Sequence, residues 1–168
     1  MDAAAIAGGL LHDVIEDCDV TSEELQRKVG PEVTFLVEAL TKLDRVRYQG
    51  FERKVESTRK MFLAVAEDIR VVLIKLSDRL HNMRTIHGVR PEKRRRIAEE
   101  TLEIYAPLAY RLGMGEWKGE LEDLSFPVVY PEEHAWLVRE TKNILSRRKE
   151  YLERVRPIVE AELTRGGV

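Results

Sequence analysis

Residues 71–85 read VVLIKLSDRLHNMRT, and this stretch decides the fold of the chain. Its first half is almost entirely apolar, which predicts a helix that is buried on nearly all sides. The second half nevertheless carries charged and amide side chains, among them Asp78 and Asn82. Together with Lys75 and Thr85, these residues follow the spacing i, i+3, i+7 and i+10, so they form one polar stripe on an otherwise buried helix.

Asp78 is the residue of this stripe that most needs a partner. A buried carboxylate is strongly destabilising unless it faces a cation or a hydrogen-bonding network. One interpretation is structural, a salt bridge from Asp78 to Lys75 or Arg79. The other is functional: Asp78 holds a divalent metal ion together with His12 and Asp13, and the later residues of the stripe contact a substrate.

A second polar cluster lies near the start of the chain, in the sequence LHDVIED at residues 11–17. The apolar spacing predicts a first helix over residues 3–17. Four polar residues share one wedge of this predicted helix: His12, Asp13, Glu16 and Asp17. The wedge is either a metal site or an acidic solvent-facing surface with a chance histidine. Gly8 and Gly9 precede it, and their cost in a helix suggests that a neighbouring backbone or a ligand comes close.

Glycine and proline divide the remaining sequence into further helical segments, with no alternating strand pattern. We predict helices over residues 21–30, 31–43, 53–66, 68–86, 91–112 with a bend at Pro107, 116–124, and 131–164 with a possible interruption at Pro157. A polar loop is expected over residues 44–52. The predicted fold class is therefore all-α, with one domain over residues 1–130 and a C-terminal helical extension over residues 131–168.

Composition and net charge limit the classes of protein to which the chain could belong. The 168 residues carry 28 Lys and Arg against 30 Asp and Glu, a net charge of −2, and 43% are hydrophobic. This balance is typical of a globular domain and provides no overall positive field for nucleic acid. No apolar run approaches the ~20 residues needed to span a bilayer. We therefore expect a cytoplasmic protein that binds neither nucleic acid nor membrane.

Three strings make a family resemblance specific: AGGLLHDVIED at residues 7–17, KMFLAVAEDIRVVLIKLSDRLHNMRT at residues 60–85, and RRIAEETLEIYAPLAYRLGM at residues 95–114. A His-Asp pair followed by a distant Asp resembles the HD metal-dependent phosphohydrolase superfamily. The strings are more closely similar to the hydrolase domain of the RelA/SpoT homologue (Rel) family, up to about residue 139. This resemblance implies an HD-domain helical bundle, a Mn²⁺ ion, and removal of the 3′-pyrophosphate of (p)ppGpp in the stringent response.

The resemblance also implies roles for individual residues. His12, Asp13 and Asp78 would be the metal ligands, and such a mixed donor set also suits Fe²⁺ or Zn²⁺. Glu16 and Asp17 match an acidic pair that activates and positions the attacking water, and a carboxylate close to such water can accept its proton. Arg79, Asn82 and Thr85 match a stretch that lines the nucleotide pocket in the family. Together with Lys75 of the polar stripe, they are the expected substrate-binding residues.

The chain departs from the family pattern at its start. The family supplies a first metal-ligating histidine from an upstream helix, whereas the 11 residues before His12 contain no histidine. We expect a chain that begins partway into its domain, with weaker metal binding. Its exposed apolar surface is expected to be covered by a homodimer contact or by a partner protein. Two alternatives stay open: a non-catalytic fragment that binds nucleotide or a partner protein, and an HD phosphohydrolase acting on another nucleotide.

Overall fold

The computed structural model describes residues 2–44 and 67–166, together with residues 59 and 63. Within these residues, every regular element is a helix, which confirms the all-α prediction. The helices are α1 (Ala3–Leu10), α2 (Val14–Asp17), α3 (Ser22–Val29), α4 (Pro31–Asp44), α5 (Ile69–Arg84), α6 (Pro91–Glu100), α7 (Ala106–Arg111), α8 (Gly115–Val129) and α9 (Pro131–Arg165). A short 3-10 helix spans Ile86–Gly88, and a π-helical turn spans Thr101–Tyr105.

The chain divides into two compact units, Met1–Val129 and Tyr130–Val168. Helix α5 is central to the first unit, where it packs against α1, α4, α8 and the π-helical turn. Its buried apolar residues join the main core: Val71, Val72, Ile74, Leu76, Leu80 and Met83. Burial of each such side chain contributes about 1.5–3 kcal/mol. The predicted buried helix is thus confirmed.

The single helix predicted over residues 3–17 is wrong, because α1 ends at Leu10 and α2 begins only at Val14. Gly8 and Gly9 weaken the helix before the break. The His12 ring then donates from Nδ1 to the carbonyl oxygen of Gly9 at 2.8 Å. In a continuous α-helix that carbonyl would accept from the backbone amide of Asp13. The local side-chain bond therefore competes with the helical one, and the polar wedge becomes a turn.

The next two predicted helices begin and end where their signals indicate. The side chain of Thr21 accepts from the Glu24 amide at 3.2 Å, and the Glu24 carboxylate accepts from the Thr21 amide at 3.3 Å, a reciprocal capping box. Gly30 follows α3 with φ +84°, a conformation that suits glycine. Pro31 then occupies the first position of α4.

Proline has different effects on the three later predicted helices. The helix predicted over residues 91–112 is interrupted by the π-helical turn just before Pro107, where the Ala106 amide donates to the Thr101 carbonyl. Pro107 has no amide hydrogen to donate and its ring clashes with the preceding turn, so a distortion of the helix is expected at this point. Helix α8 runs on through Pro127, beyond its predicted end, and α9 continues through Pro157 without a break. The predicted loop over 44–52 and helix over 53–66 lie largely outside the described residues.

The second unit consists of α9, a highly charged helix of 35 residues. Its apolar side chains are mostly exposed, including Trp136, Leu152 and Ile158. In the described part of the chain, no helix combines the length and the apolar character needed to cross a membrane.

Candidate metal centre

Close packing at Gly8 allows the end of α1 to approach α5. Gly8 is buried, and a Cβ atom added there would lie 3.2 Å from Cβ of Leu36 and 3.5 Å from Cδ1 of Ile74. The glycine therefore admits side chains of α4 and α5, rather than a backbone or a ligand as the sequence suggested. This approach brings His12, in the turn after α1, next to Asp78 on α5.

The His12 ring lies between two carboxylates and is oriented by a backbone carbonyl. Its Nδ1 atom is 2.8 Å from the carbonyl oxygen of Gly9, and because a carbonyl oxygen can only accept, Nδ1 carries the hydrogen. In the neutral ring, the lone pair then lies on Nε2. Nε2 is 3.0 Å from Oδ2 of Asp13 and 3.5 Å from Oδ1 of Asp78. The ring thus presents either a protonated nitrogen or a metal-ligating lone pair to both carboxylates.

Asp78 has further partners along its own helix. Its Oδ2 atom lies 3.3 Å from Nζ of Lys75, and its Oδ1 accepts from Nδ2 of Asn82 at 2.9 Å. The side chains of Lys75 and Asp78 are only 7% and 14% exposed, so this ion pair is largely shielded from solvent. The salt bridge to Lys75 that the sequence offered as a structural interpretation is present. It coexists with the approach of His12 to the same carboxylate.

The electrostatics of the cluster favour an additional cation. Burial raises the pKa of Asp13, and the nearby carboxylates of Asp78 and Asp17 raise it further. His12 and Lys75 act in the opposite direction, but the balance leaves the pKa of Asp13 above its usual value. A raised carboxyl pKa means that the anionic form is under-compensated. A divalent ion between these groups would remove that penalty.

The imidazole and carboxylate donors of His12, Asp13 and Asp78 suit a divalent ion, but their side chains are not arranged as a complete coordination site. Two atoms that bind one octahedral ion at about 2.1 Å lie roughly 3 Å apart. The separations of 3.0 and 3.5 Å from Nε2 of His12 to the two carboxylates are close to this value. Even so, across residues 2–44, 59, 63 and 67–166, no group of three or more His, Cys, Asp or Glu side chains is arranged to hold a metal ion. The three expected ligands are neighbours that need side-chain adjustment to share an ion.

The expected catalytic pair, Glu16 and Asp17, lies beside this cluster. Both residues are exposed in α2, and their amides donate to the carbonyl oxygen of Asp13 at 3.0 and 2.8 Å. Helix α2 therefore starts at a proposed metal ligand and holds both carboxylates within one turn of it.

The four residues expected to bind substrate do not share one surface. Asn82 and Thr85 are exposed, and the Thr85 hydroxyl donates to the carbonyl of His81 at 2.9 Å. Lys75 is buried against Asp78, as described above. Arg79 points elsewhere: its guanidinium lies 4.0 Å from the centroid of the Tyr105 ring, and its Nη2 is 3.4 Å from Oε2 of Glu100.

Glu100 and Tyr105 are neighbours of Arg79 that the sequence reasoning missed. They lie in the string ETLEIYAPLA at residues 100–109, which carried the family resemblance but received no residue roles. A glutamate and a tyrosine five residues apart would not be expected on one side of a regular helix. The π-helical turn between them is a local departure from regular helix geometry, which the spacing of apolar residues does not predict.

With this geometry described, comparison with known proteins identifies the family. The sequence pattern of the family described as "HD domain" matches residues 1–115. The chain belongs to the HD domain family. Its members depend on divalent metal ions, which agrees with the donor chemistry at His12 and Asp78.

Curated relatives of this HD domain carry related names. The chain is 47% identical, over its full length, to a guanosine-3′,5′-bis(diphosphate) 3′-pyrophosphohydrolase of Vibrio cholerae, and covers 24% of that protein. It is 44% identical to the bifunctional (p)ppGpp synthase/hydrolase SpoT of Escherichia coli K12, again with 24% of that protein covered. A GTP pyrophosphokinase of Streptomyces coelicolor is 48% identical over 97% of the chain and is covered to 19%. The HD domain thus spans about a quarter or less of the length of these relatives.

Proposed function

We propose that the chain carries a metal-dependent pyrophosphohydrolase domain that removes the 3′-pyrophosphate of guanosine 3′,5′-bis(diphosphate) and its triphosphate analogue. The observation that carries the proposal is the His12 ring, which donates from Nδ1 to Gly9 and directs Nε2 at two carboxylates. Metal-binding histidines commonly have their second nitrogen bonded in this way, since it sets the tautomer and the ring orientation. The names of relatives that are 44–48% identical support the choice of substrate.

In this proposal, His12, Asp13 and Asp78 hold the divalent ion, with Mn²⁺ as the expected species. A bound ion would supply positive charge beside the phosphate oxygens and lower the pKa of water at the site. Asn82 keeps one oxygen of Asp78 oriented through its 2.9 Å hydrogen bond. Lys75 balances part of the negative charge from within the protein, since its side chain is buried next to the other oxygen.

The chain's own carboxylates carry the proton transfer. Glu16 is exposed in the turn that begins at Asp13, where a water molecule attacking the phosphorus would approach. Its carboxylate accepts the proton of that water, and Asp17 helps to orient the water from the neighbouring position. Positioned acid–base groups of this kind typically contribute 10²–10⁴-fold in rate, as an order of magnitude.

The substrate is expected to lie along the exposed end of the α5 stripe. Asn82 and Thr85 are exposed there and carry polar groups one turn apart, suited to hydrogen bonds with the nucleotide. Arg79 was included in this set from the sequence, but its contacts with Glu100 and Tyr105 hold its guanidinium away from this surface.

The test is a product analysis on the purified chain. We expect guanosine 3′,5′-bis(diphosphate) with Mn²⁺ to yield GDP and pyrophosphate, and Asp78→Asn to remove that activity. Asp123→Asn is the matched control, because Asp123 is exposed on α8 and is not among the residues of the proposed site. Equal turnover in both variants would contradict the proposal. So would Mn²⁺-dependent release of pyrophosphate from a dNTP but not from guanosine 3′,5′-bis(diphosphate). A parallel series with Fe²⁺ and Zn²⁺ identifies the ion.

A second candidate function is nucleotide binding without turnover. It is supported by the described side chains, among which no group of three or more His, Cys, Asp or Glu is arranged to hold a metal ion. Calorimetric binding of guanosine 3′,5′-bis(diphosphate) with no Mn²⁺-dependent product would select this candidate. A cytoplasmic location and a homodimer remain predictions, and the dimer is tested by the mass that light scattering reports in solution.

A further inference from the structure

Arg79 is a largely buried charged group next to the candidate metal centre. Its side chain is 11% exposed, and that of its partner Glu100 is 17% exposed. The guanidinium lies over the Tyr105 ring at 4.0 Å, a distance that suits a cation–π contact. A guanidinium held between a carboxylate and a ring has little freedom to follow a phosphate group. These contacts define what we call the arginine clamp: Arg79, Glu100 and Tyr105.

The π-helical turn allows both partners to reach the arginine. Residues five apart in a regular α-helix point about 140° away from each other. Glu100 and Tyr105 are five apart, yet both contact Arg79. The widened turn over Thr101–Tyr105 lies between them and alters their relative direction. Turns of this kind are rare, and those that occur often lie at functional sites. Here the turn allows Glu100 and Tyr105 to contact the same arginine.

The clamp is adjacent to the metal centre along α5. Asp78 and Arg79 are consecutive, so their side chains leave the helix about 100° apart. When Arg79 is held against the π-helical turn, α5 cannot rotate about its axis without breaking the clamp. The same rotation would carry Asp78 away from Nε2 of His12, which it now approaches to 3.5 Å.

The arginine clamp carries a local energetic cost at the Arg79 guanidinium. Its Nε atom is buried with no hydrogen-bond partner among the described residues, an energetic cost that packing alone would not require.

We propose that Arg79, Glu100 and Tyr105 are positioning residues, which set the rotation of α5 and so aim the Asp78 carboxylate at the metal ion. Arg79 acts through Asp78 and not by touching the substrate. This inference rests on the proposed metal-dependent function, and it replaces the substrate contact that the sequence assigned to Arg79.

The test separates positioning from stability by comparing two variants. Arg79→Met removes the guanidinium that balances the largely buried Glu100 carboxylate, which destabilises the fold. Arg79→Met/Glu100→Met replaces the whole ion pair with apolar groups, so stability returns, because such replacement is often neutral or stabilising. Arg95→Met is the matched control, since it breaks an exposed ion pair with Glu99 at 2.8 Å.

Three measurements are made on each protein: urea unfolding, calorimetric Mn²⁺ affinity, and the side-chain amide signals of Asn82 in ¹H–¹⁵N spectra without metal. Asn82 reports on Asp78 because it donates to Oδ1 at 2.9 Å. We expect both Arg79 variants to shift the Asn82 signals and to weaken Mn²⁺ binding by about 10–100-fold, as loss of ligand-orienting partners does. The control is expected to match the wild type in both measurements.

Recovery of wild-type Mn²⁺ affinity together with stability in the double variant would overturn the proposal, since the clamp would then be merely structural. Unchanged Asn82 signals in both Arg79 variants would do the same. If the wild type neither binds Mn²⁺ nor releases pyrophosphate, the proposed function fails by itself. The Asn82 signals of the metal-free proteins then decide whether the clamp orients Asp78.

Discussion

Replacing Asp78 by alanine removes the carboxylate that Lys75, Asn82 and His12 all approach. Loss of one partner of a buried ion pair costs about 3–5 kcal/mol, because the other charge stays buried. The Asp78 side chain is 14% exposed, and Lys75 has a further interaction. We therefore expect the lower end, about 3 kcal/mol. For a chain of this size that corresponds to a fall in Tm of roughly 6–12 °C.

The assay is a double-mutant cycle by urea unfolding with Asp78→Ala, Lys75→Met and the combined variant. Because the two side chains are in contact, the double variant should be more stable than the sum of single effects predicts, by about 0.5–3 kcal/mol. Mn²⁺ binding, measured by calorimetry, should be lost wherever Asp78 is absent. Additive effects on stability would refute the buried pair, and Mn²⁺ affinity that survives Asp78→Ala would remove this residue from the metal centre.

The remaining predictions concern the core, the acid response and the proton transfer. Met83 is fully buried, so Met83→Ala should lower the free energy of unfolding by about 2–5 kcal/mol. Met83→Leu keeps most of the side-chain volume and should lower it by less than about 1.5 kcal/mol. Equal effects of the two variants in urea unfolding would contradict the assignment of Met83 to the core. Arg70 lowers the pKa of Asp68. The loss of stability that Asp68→Asn causes at neutral pH should therefore shrink as the pH falls below about 4. A stability difference between the variant and the wild type that persists at acid pH in denaturation curves would refute the pairing. Glu16→Gln should reduce turnover on the order of 10²–10⁴-fold with unchanged Mn²⁺ affinity. The control Asp19→Asn, at an exposed residue, should leave turnover unchanged. A wild-type rate for Glu16→Gln would exclude Glu16 as the base.

Much of the first unit could be predicted from local signals. The capping box at Thr21, Gly30 with its positive φ, and Pro31 marked the ends of α3 and the start of α4. The apolar run before Asp78 predicted a buried helix, and α5 is buried as expected. These signals depend on residues within a few positions of one another, which is why they could be interpreted without a structure.

The errors arise where a side chain competes with the backbone. The first helix stops at Leu10 because the His12 ring takes the carbonyl of Gly9, and helical periodicity does not record such competition. Similarly, Pro107 predicted an irregular helix but not the π-helical turn before it. The metal-ligand, catalytic and substrate roles of individual residues stay predictions until the experiments above are made.

The sequence by itself determined that the chain is helical, that α5 is buried, and that α5 carries polar groups which need partners. Only the tertiary structure decided which partners they meet: Asp78 faces His12 and Lys75, whereas Arg79 turns to Glu100 and Tyr105. The physical reason is that amphipathic spacing records which face of a helix avoids water. The choice of partner depends on how closely distant helices approach, and here that approach is set by packing at a single glycine, Gly8.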